Sequence, residues 1–394
     1  MLGGQGNQIA GGVAVHPSGN IYVAGSVAEG FGPVVITPAN GFDVVVLELS
    51  PTGALLGFYV VQAAADQYVN AITVTSNAVY IAGTTLGALG GGTHLGSGDA
   101  FAAKLNLDLT ALQWVRHAGG TGSDAANAVA VKTNGNVVVM GQTTSASVDG
   151  EINSGGWDFF YSEWTGDGTF VRSRVNGTGD ATDTGLAGAV DTLGAVVMTG
   201  YSQPGSTNPY VVKWNDQGVV LFARRLTEIQ GVGSGLVTVD TNSNVFIAGL
   251  TDQPILGQPA LGGVADVFVA ALNGDNGSLV WARHLGGTGA DGEYPYMAGL
   301  AAGPCGLFVA SQTNSVIGGQ SPAGETDNVL FHLTFSGVPV WTRMRGGTGD
   351  EVSPHAVAYA PSGNVIQAGW TNGVLDGFTP VGNDLTVMNW TACR

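Results

Sequence analysis

One phrase recurs along this chain and constrains everything else about it. It reads Trp114-Val-Arg116-His117-Ala-Gly-Gly-Thr-Gly-Ser-Asp124, returns as Trp281-Ala-Arg283-His284-Leu-Gly-Gly-Thr-Gly-Ala-Asp291, and again as Trp341-Thr-Arg343-Met-Arg-Gly-Gly-Thr-Gly-Asp350. Such self-similarity marks a repeat architecture, in which each unit buries its apolar surface only against its neighbours. After each phrase comes a short apolar stretch, a turn, and a second stretch usually ending in Gly, as in Ala14 to Gly25 and Val129 to Gly141. A variable loop follows, then a third stretch opening with Asp43, Asp99, Asp158 or Asp266. Counted this way, the repeats span about 2–61, 62–117, 118–175, 176–226, 227–285, 286–345 and 346–394, within 394 residues.

Each repeat offers four short segments of β-branched, aromatic or small residues separated by Gly, Asn, Asp and Pro turns, with no helical period. Four antiparallel strands per unit and seven equal units predict an all-β fold, a single seven-bladed β-propeller domain. The composition agrees. Only 10% of residues are charged, against about 25% in ordinary domains, as expected if each sheet hides both faces. Sixty-five glycines supply the turns. The Val-rich strand after each Gly-Gly-Thr-Gly loop is expected innermost and the Trp-x-Arg strand outermost. Antiparallel alternation then places the variable loops and the Gly-Gly-Thr-Gly connections on one face and the short turns on the other.

The pattern W-x-R-x-L-G-G-T-G-x-D, then A-V-x-x-x-G-N-V-Y-V-x-G, then D-A-F-V-A-K-L, resembles that of the SBBP-repeat proteins, a seven-bladed β-propeller family. The resemblance covers the whole chain, with degenerate Gly-Gly-Thr-Gly segments in repeats 2, 4 and 5. It implies a cell-surface or secreted protein without established catalytic residues. The stretch Ala271 to Trp281 also resembles the quinoprotein dehydrogenase repeat, but no cluster of cations and carboxylates recurs as a cofactor cradle.

In Trp114/Arg116, Trp281/Arg283, Trp341/Arg343 and Phe170/Arg172, positions two apart on a strand put ring and guanidinium on one face. The expected role is packing on the next blade, with Arg paired to a carboxylate such as an Asp opening a nearby third strand. His117 and His284 share a repeat column, which favours a structural role. Asp124, Asp180, Asp291 and Asp350 close the Gly-Gly-Thr-Gly loops, where each is expected to accept backbone N–H groups of its own turn. Calcium held by such an Asp with loop carbonyls is the alternative; no other metal or cofactor is expected. Three glycosylation sequons begin at Asn176, Asn276 and Asn389.

A formal net charge of −17 opposes a phosphate backbone and argues against nucleic-acid binding. No apolar run is long enough for a membrane span. Met1-Leu2-Gly3-Gly4 has neither the basic nor the apolar region of a signal peptide. Leu2-Gly3-Gly4 matches Leu285-Gly286-Gly287, the end of an outer strand. Asp384-Leu385-Thr386-Val387-Met388-Asn389-Trp390 matches a third strand. The seventh blade is therefore expected to lack its outer strand within this sequence, leaving an edge for a neighbouring subunit or for sequence upstream of Met1. The two cysteines, Cys305 and Cys393, fall on one face of adjacent blades, and a bridge between them would belong to an oxidising compartment. The leading expectation is a non-enzymatic extracellular structural or adhesive module that self-associates into a surface assembly or filament. A glycan-binding propeller using the variable-loop face is the alternative, and a polysaccharide-active enzyme comes third.

Overall fold

The computed structural model describes residues 8–28, 41–179, 182–203, 208–230, 233–263, 265–292, 299–377, 379–380 and 384–393. Among these, every blade strand is antiparallel to its neighbours, and no helix occurs. The chain is a seven-bladed β-propeller: six four-stranded sheets and one of three strands. The blades cover 8–61, 67–118, 124–176, 183–225, 233–285, 299–345 and 351–391. Blade 2 shows the plan. Gln67–Val74 is innermost, followed outward by Ala78–Thr85, Asp99–Asn106 and the Trp114-bearing strand Leu112–Ala118.

Seven apolar clusters fill the seven gaps between blades. The gap between blades 2 and 3, for instance, takes Tyr80, Ala102 and Trp114 from one side and Val139, Phe160 and Trp164 from the other. The second and third strands are buried on both faces, as Asp158–Trp164 and Val245–Thr251 illustrate. Each large side chain sealed there contributes about 1.5–3 kcal/mol of burial free energy. The ring closes through the same device, since Ala10, Val13 and Val23 of blade 1 pack against Ile366 and Ala368 of blade 7.

The loops joining second to third strands depart from expectation. Read from the sequence as variable, five of them contain one common turn. A buried apolar residue (Leu89, Val148, Ile255, Ile317 or Leu375) precedes two residues of positive φ, namely Gly90-Gly91, Asp149-Gly150, Leu256-Gly257, Gly318-Gly319 and Asp376-Gly377. Two successive left-handed residues make a tight hairpin turn, and in blade 3 a two-residue ribbon, Ser147–Val148 with Glu151–Ile152, forms around it. These loops are plugged into the blades, not free. The loop expected at 26–42 lies largely outside the described residues.

Candidate functional site

The Gly-Gly-Thr-Gly segments prove to be packing devices. A Cβ on Gly120 would lie 2.5 Å from Ser147 O and 2.9 Å from Ser145 Cβ, so only glycine lets this loop press against the next one. Asp124 Oδ2 accepts the Gly120 N–H at 2.9 Å and the Ser145 hydroxyl at 2.8 Å, while Thr143 donates to Oδ1. Asp291 repeats this, taking Gly287 N–H at 2.6 Å and the Thr313 hydroxyl at 2.5 Å. Burial pushes both carboxyls up from the ordinary range, against the pull of these hydrogen bonds.

In blade 7 this role falls to Glu351, which accepts Gly347 N–H at 2.6 Å and the Thr371 hydroxyl at 2.7 Å. Asp350, the residue expected there, instead receives the Thr326 hydroxyl at 2.8 Å across the loop. Asp180 lies outside the described residues; in blade 4 Asp183 accepts Thr178 N–H at 2.6 Å. Among the described residues, no three His, Cys, Asp or Glu side chains converge as a metal site would require.

The arginines also depart from expectation. Arg116, Arg172 and Arg174 grip backbone carbonyls of the next blade; Arg172 and Arg174 also pair with carboxylates of their own blade, Glu163 at 3.4 Å and Glu151 at 3.0 Å, and not with the aspartates that open third strands. Arg116 Nε donates to Gly168 O at 2.6 Å and Trp114 Nε1 to Gly166 O at 3.3 Å. Arg174 Nε reaches Gly218 O at 3.0 Å, and Arg172 Nη1 reaches Asp216 O at 3.0 Å. Trp281 Nε1 reaches Phe335 O at 3.1 Å. Each of these acceptors lies in the turn between the third and outer strands of the following blade, whereas Arg343 Nη1 reaches Thr391 O at the end of the third strand of blade 7 and Arg283 Nη1 bonds Ala282 O of its own strand. The pair Phe170/Arg172 was placed two residues early. Arg172 faces Glu163 and Arg174 faces Tyr161, the third-strand positions that face Trp114 and Arg116 in blade 2, so Arg172 and Arg174 occupy the Trp-x-Arg columns of blade 3. The third-strand aspartate of blade 2 meets a histidine instead: Asp99 Oδ2 lies 3.3 Å from His117 Nδ1. His284 holds the same column and is pushed down by burial.

Two cavities stand apart from these contacts. The central channel encloses about 190 Å³ and is lined by inner strands of all seven blades, with no ionisable side chain among the described residues. Asn70 and Asn127 cross it to neighbouring blades, donating to Ala126 O at 3.0 Å and Gly185 O at 2.7 Å. On the short-turn face, a cleft of about 430 Å³ between blades 1 and 2 holds His16, Tyr22, Glu48 and Asp108. The Tyr22 hydroxyl lies 2.9 Å from both Glu48 Oε1 and Leu107 O, and burial, then the Glu48 contact, raises its pKa and keeps it protonated. Glu48 also accepts the Asn20 amide at 2.8 Å, while His16 Nδ1 bonds Ser18 and Asp108 bonds Thr110 within their own turns.

The third-strand edge of blade 7 is different, because among the described residues no strand lies along its outer side, although Thr391 O accepts a hydrogen bond from Arg343 Nη1 of blade 6. Asp384–Thr391 pairs along one side with Asn364–Thr371, from Thr371↔Asp384 to Asn364↔Thr391. Trp390 Nε1 donates to Gln367 Oε1 at 2.9 Å, and Met388 and Trp390 are buried with Phe308 and Leu330 of blade 6. Just beyond the strand, Cys393 is bonded to Cys305, Cα atoms 6.1 Å apart. Along the outer side, where six other sheets carry a fourth strand, no strand pairs among the described residues. Of the sequons, Asn276 and Asn389 are exposed, while Asn176 Oδ1 accepts the Tyr210 hydroxyl at 2.9 Å.

No protein-family model and no curated protein matches this sequence. Solved structures do match in fold. An ulvan lyase of polysaccharide lyase family 25 is 10% identical, with a TM-score of 0.53 over 98% of this chain and 95% of its own. Sqt1 from Chaetomium thermophilum is 13% identical, with a TM-score of 0.50 over 100% of this chain and 90% of its own. At such identities the likeness establishes the propeller and nothing about activity.

Proposed function

We propose that this propeller is a non-enzymatic structural or adhesive module of the cell exterior, and that a neighbouring subunit completes it by laying a strand along blade 7. The observation that carries this reading is the open outer side of Asp384–Thr391 in a ring whose other six sheets have four strands. An exposed row of backbone donors and acceptors is a template for another chain's strand. The edge is held ready by Trp390, by the apolar seam with blade 6 and by the Cys305–Cys393 bond. That bond also supports an oxidising, extracellular setting, as does the resemblance to the SBBP repeat. The acidic groups most open to a catalytic reading, Asp124, Asp291 and Glu351, are engaged in tying loops to blades.

Successive head-to-tail filling of the edge would produce filaments, and reciprocal filling a closed pair. The test is imaging and light scattering of the full chain at increasing concentration. Assemblies with density along 384–391 are expected. A dispersed monomer at all concentrations, with amides of 384–391 exchanging at solvent rates even in the native extracellular material, refutes the reading.

A further inference from the structure

At most blade boundaries the outer strand does more than complete its own sheet, because its side chains cover the next blade's outer turn. Arg116 lies over Gly168 and Arg174 over Gly218, each bonded to that residue's carbonyl. The rings of Phe222 and Trp281 lie over Gly277 and Gly337 in the same way. Blade 1 presents the equivalent turn, Ser50 to Ala54, closed by the Gly53 N–H to Ser50 O bond at 2.9 Å. Here the pattern stops. Gly53 has a φ of +87°, is exposed, and has no heavy atom within 4 Å of the position its Cβ would take. Among the described residues no side chain reaches Pro51 O or Gly53 O. The blade that should cover this turn is blade 7, the one with the open edge.

We infer that the strand received by blade 7 belongs to a partner chain and carries an aromatic residue two positions before an arginine, which clasp Pro51 O and Gly53 O of blade 1. This rests on the strand-accepting reading above and specifies the chemistry of what is accepted. The register follows from the other blades. Ala271 faces Trp281 and Val269 faces Arg283 in blade 5; His332 faces Trp341 and Leu330 faces Arg343 in blade 6. The corresponding residues of blade 7 are Asn389 for the aromatic and Val387 for the arginine. An arginine also suits a chain of net charge −17, because opposite charge favours encounter as well as docking. The aromatic would lie beside exposed Asn389, so a glycan on that sequon and the strand would exclude each other.

The test uses the full chain and a synthetic peptide of its own outer-strand type, residues 278–287, labelled for fluorescence anisotropy, with hydrogen exchange read at 384–391 and at 50–55. The peptide is expected to bind and to protect both segments. Replacing its Trp281 and Arg283 equivalents with alanine is expected to weaken binding about tenfold or more and to abolish protection at 50–55. Equal binding by both peptides overturns the clasp while leaving the strand-accepting reading intact. Failure of either peptide to bind or protect 384–391 removes both. Protection of both segments in the protein alone, lost on dilution, assigns the edge to a second copy and overturns the partner-chain inference only.

Discussion

Removing the disulfide tests how the ring is held shut. The cysteines are 88 residues apart, and the loop between them contains most of blade 6 and all of blade 7. Constraining a loop of that length removes unfolded-state entropy worth about 4–5 kcal/mol in the chain-entropy model. The native side offers little to offset the loss. Blade 7 meets blade 1 through apolar contacts of inner and middle strands, and its third strand has a neighbour on one side only. Around the bond, the His332 ring stacks on Phe308 at 4.6 Å and its Nε2 lies 3.1 Å from Cys305 O. Those contacts position the cysteines but cannot restrain the unfolded chain.

A Cys305→Ala/Cys393→Ala double variant, which leaves no free thiol, is therefore expected to lose about 4 kcal/mol in urea unfolding. It is also expected to exchange amides of 384–391 well before those of blades 2 to 5. Reduction of the unmodified protein should reproduce both effects. A loss below about 1 kcal/mol, or uniform exchange across all blades, would show that packing alone closes the ring and that the covalent seam argument is wrong.

Three further outcomes follow from the same contacts. Burial raises the carboxyl pKa of Asp124, Asp158, Asp266, Asp291 and Glu351. The folded state thus binds protons more tightly than the unfolded one, so these groups should add stability as pH falls through their raised pKa values toward the ordinary carboxylate range of about 4, and that contribution is lost as pH rises through them and they ionise; a thermal midpoint that drops steadily over that acidification contradicts this. Gly120→Val forces a side chain to within 2.5 Å of Ser147 O and should cost about 2–3 kcal/mol, with wild-type stability in a calorimetric scan as the contrary result. Lys132, bonded to Glu163 at 3.1 Å with both side chains 1% exposed, should cost about 3–5 kcal/mol on change to Met, and Lys132→Met/Glu163→Gln should recover part of that loss; additive losses would mean the pair is not coupled.

How much of this was legible in the sequence depends on whether a residue's role is repeated or local. The blade count, strand order and open seventh sheet follow from a period that every copy obeys. The Glu351 role was equally available, since it holds the sixth position of Gly346-Gly347-Thr348-Gly349-Asp350-Glu351, as Asp124 and Asp291 do in their copies; attention to the first acid obscured it. The shared hairpin in the long loops was also written out, as Leu89-Gly-Gly, Val148-Asp-Gly, Ile255-Leu-Gly, Ile317-Gly-Gly and Leu375-Asp-Gly. The column of Phe170 was harder to read, because blade 3 has Arg172 where blades 2, 5 and 6 have Trp and one residue fewer than blade 2 between Arg174 and the Thr of its Gly-Thr-Gly segment, so the aromatic residue alone marks the wrong position. The partners of Arg116 and Arg174 were hidden for a different reason. A backbone carbonyl has no residue identity, so charge complementarity alone pointed toward aspartates.

That last point explains why the blade 7 edge and the blade 1 turn belong to one argument. If the outer-strand arginines paired only with carboxylates of their own sheets, as Arg172 does with Glu163 at 3.4 Å, a missing strand would disturb one blade only. Because they also grip the next blade's turn, the same strand bears on two blades, and among the described residues its place is open twice: along the outer side of 384–391 and over Gly53. The two features lie in segments more than 300 residues apart in the chain, joined only by the closure of the ring. A segment that satisfied the ladder alone would have no sequence preference, since backbone pairing is indifferent to side chains. Selectivity would come from the turn, where the proposed strand would repeat what Trp114 and Arg116 do at Gly166 O and Gly168 O of blade 3.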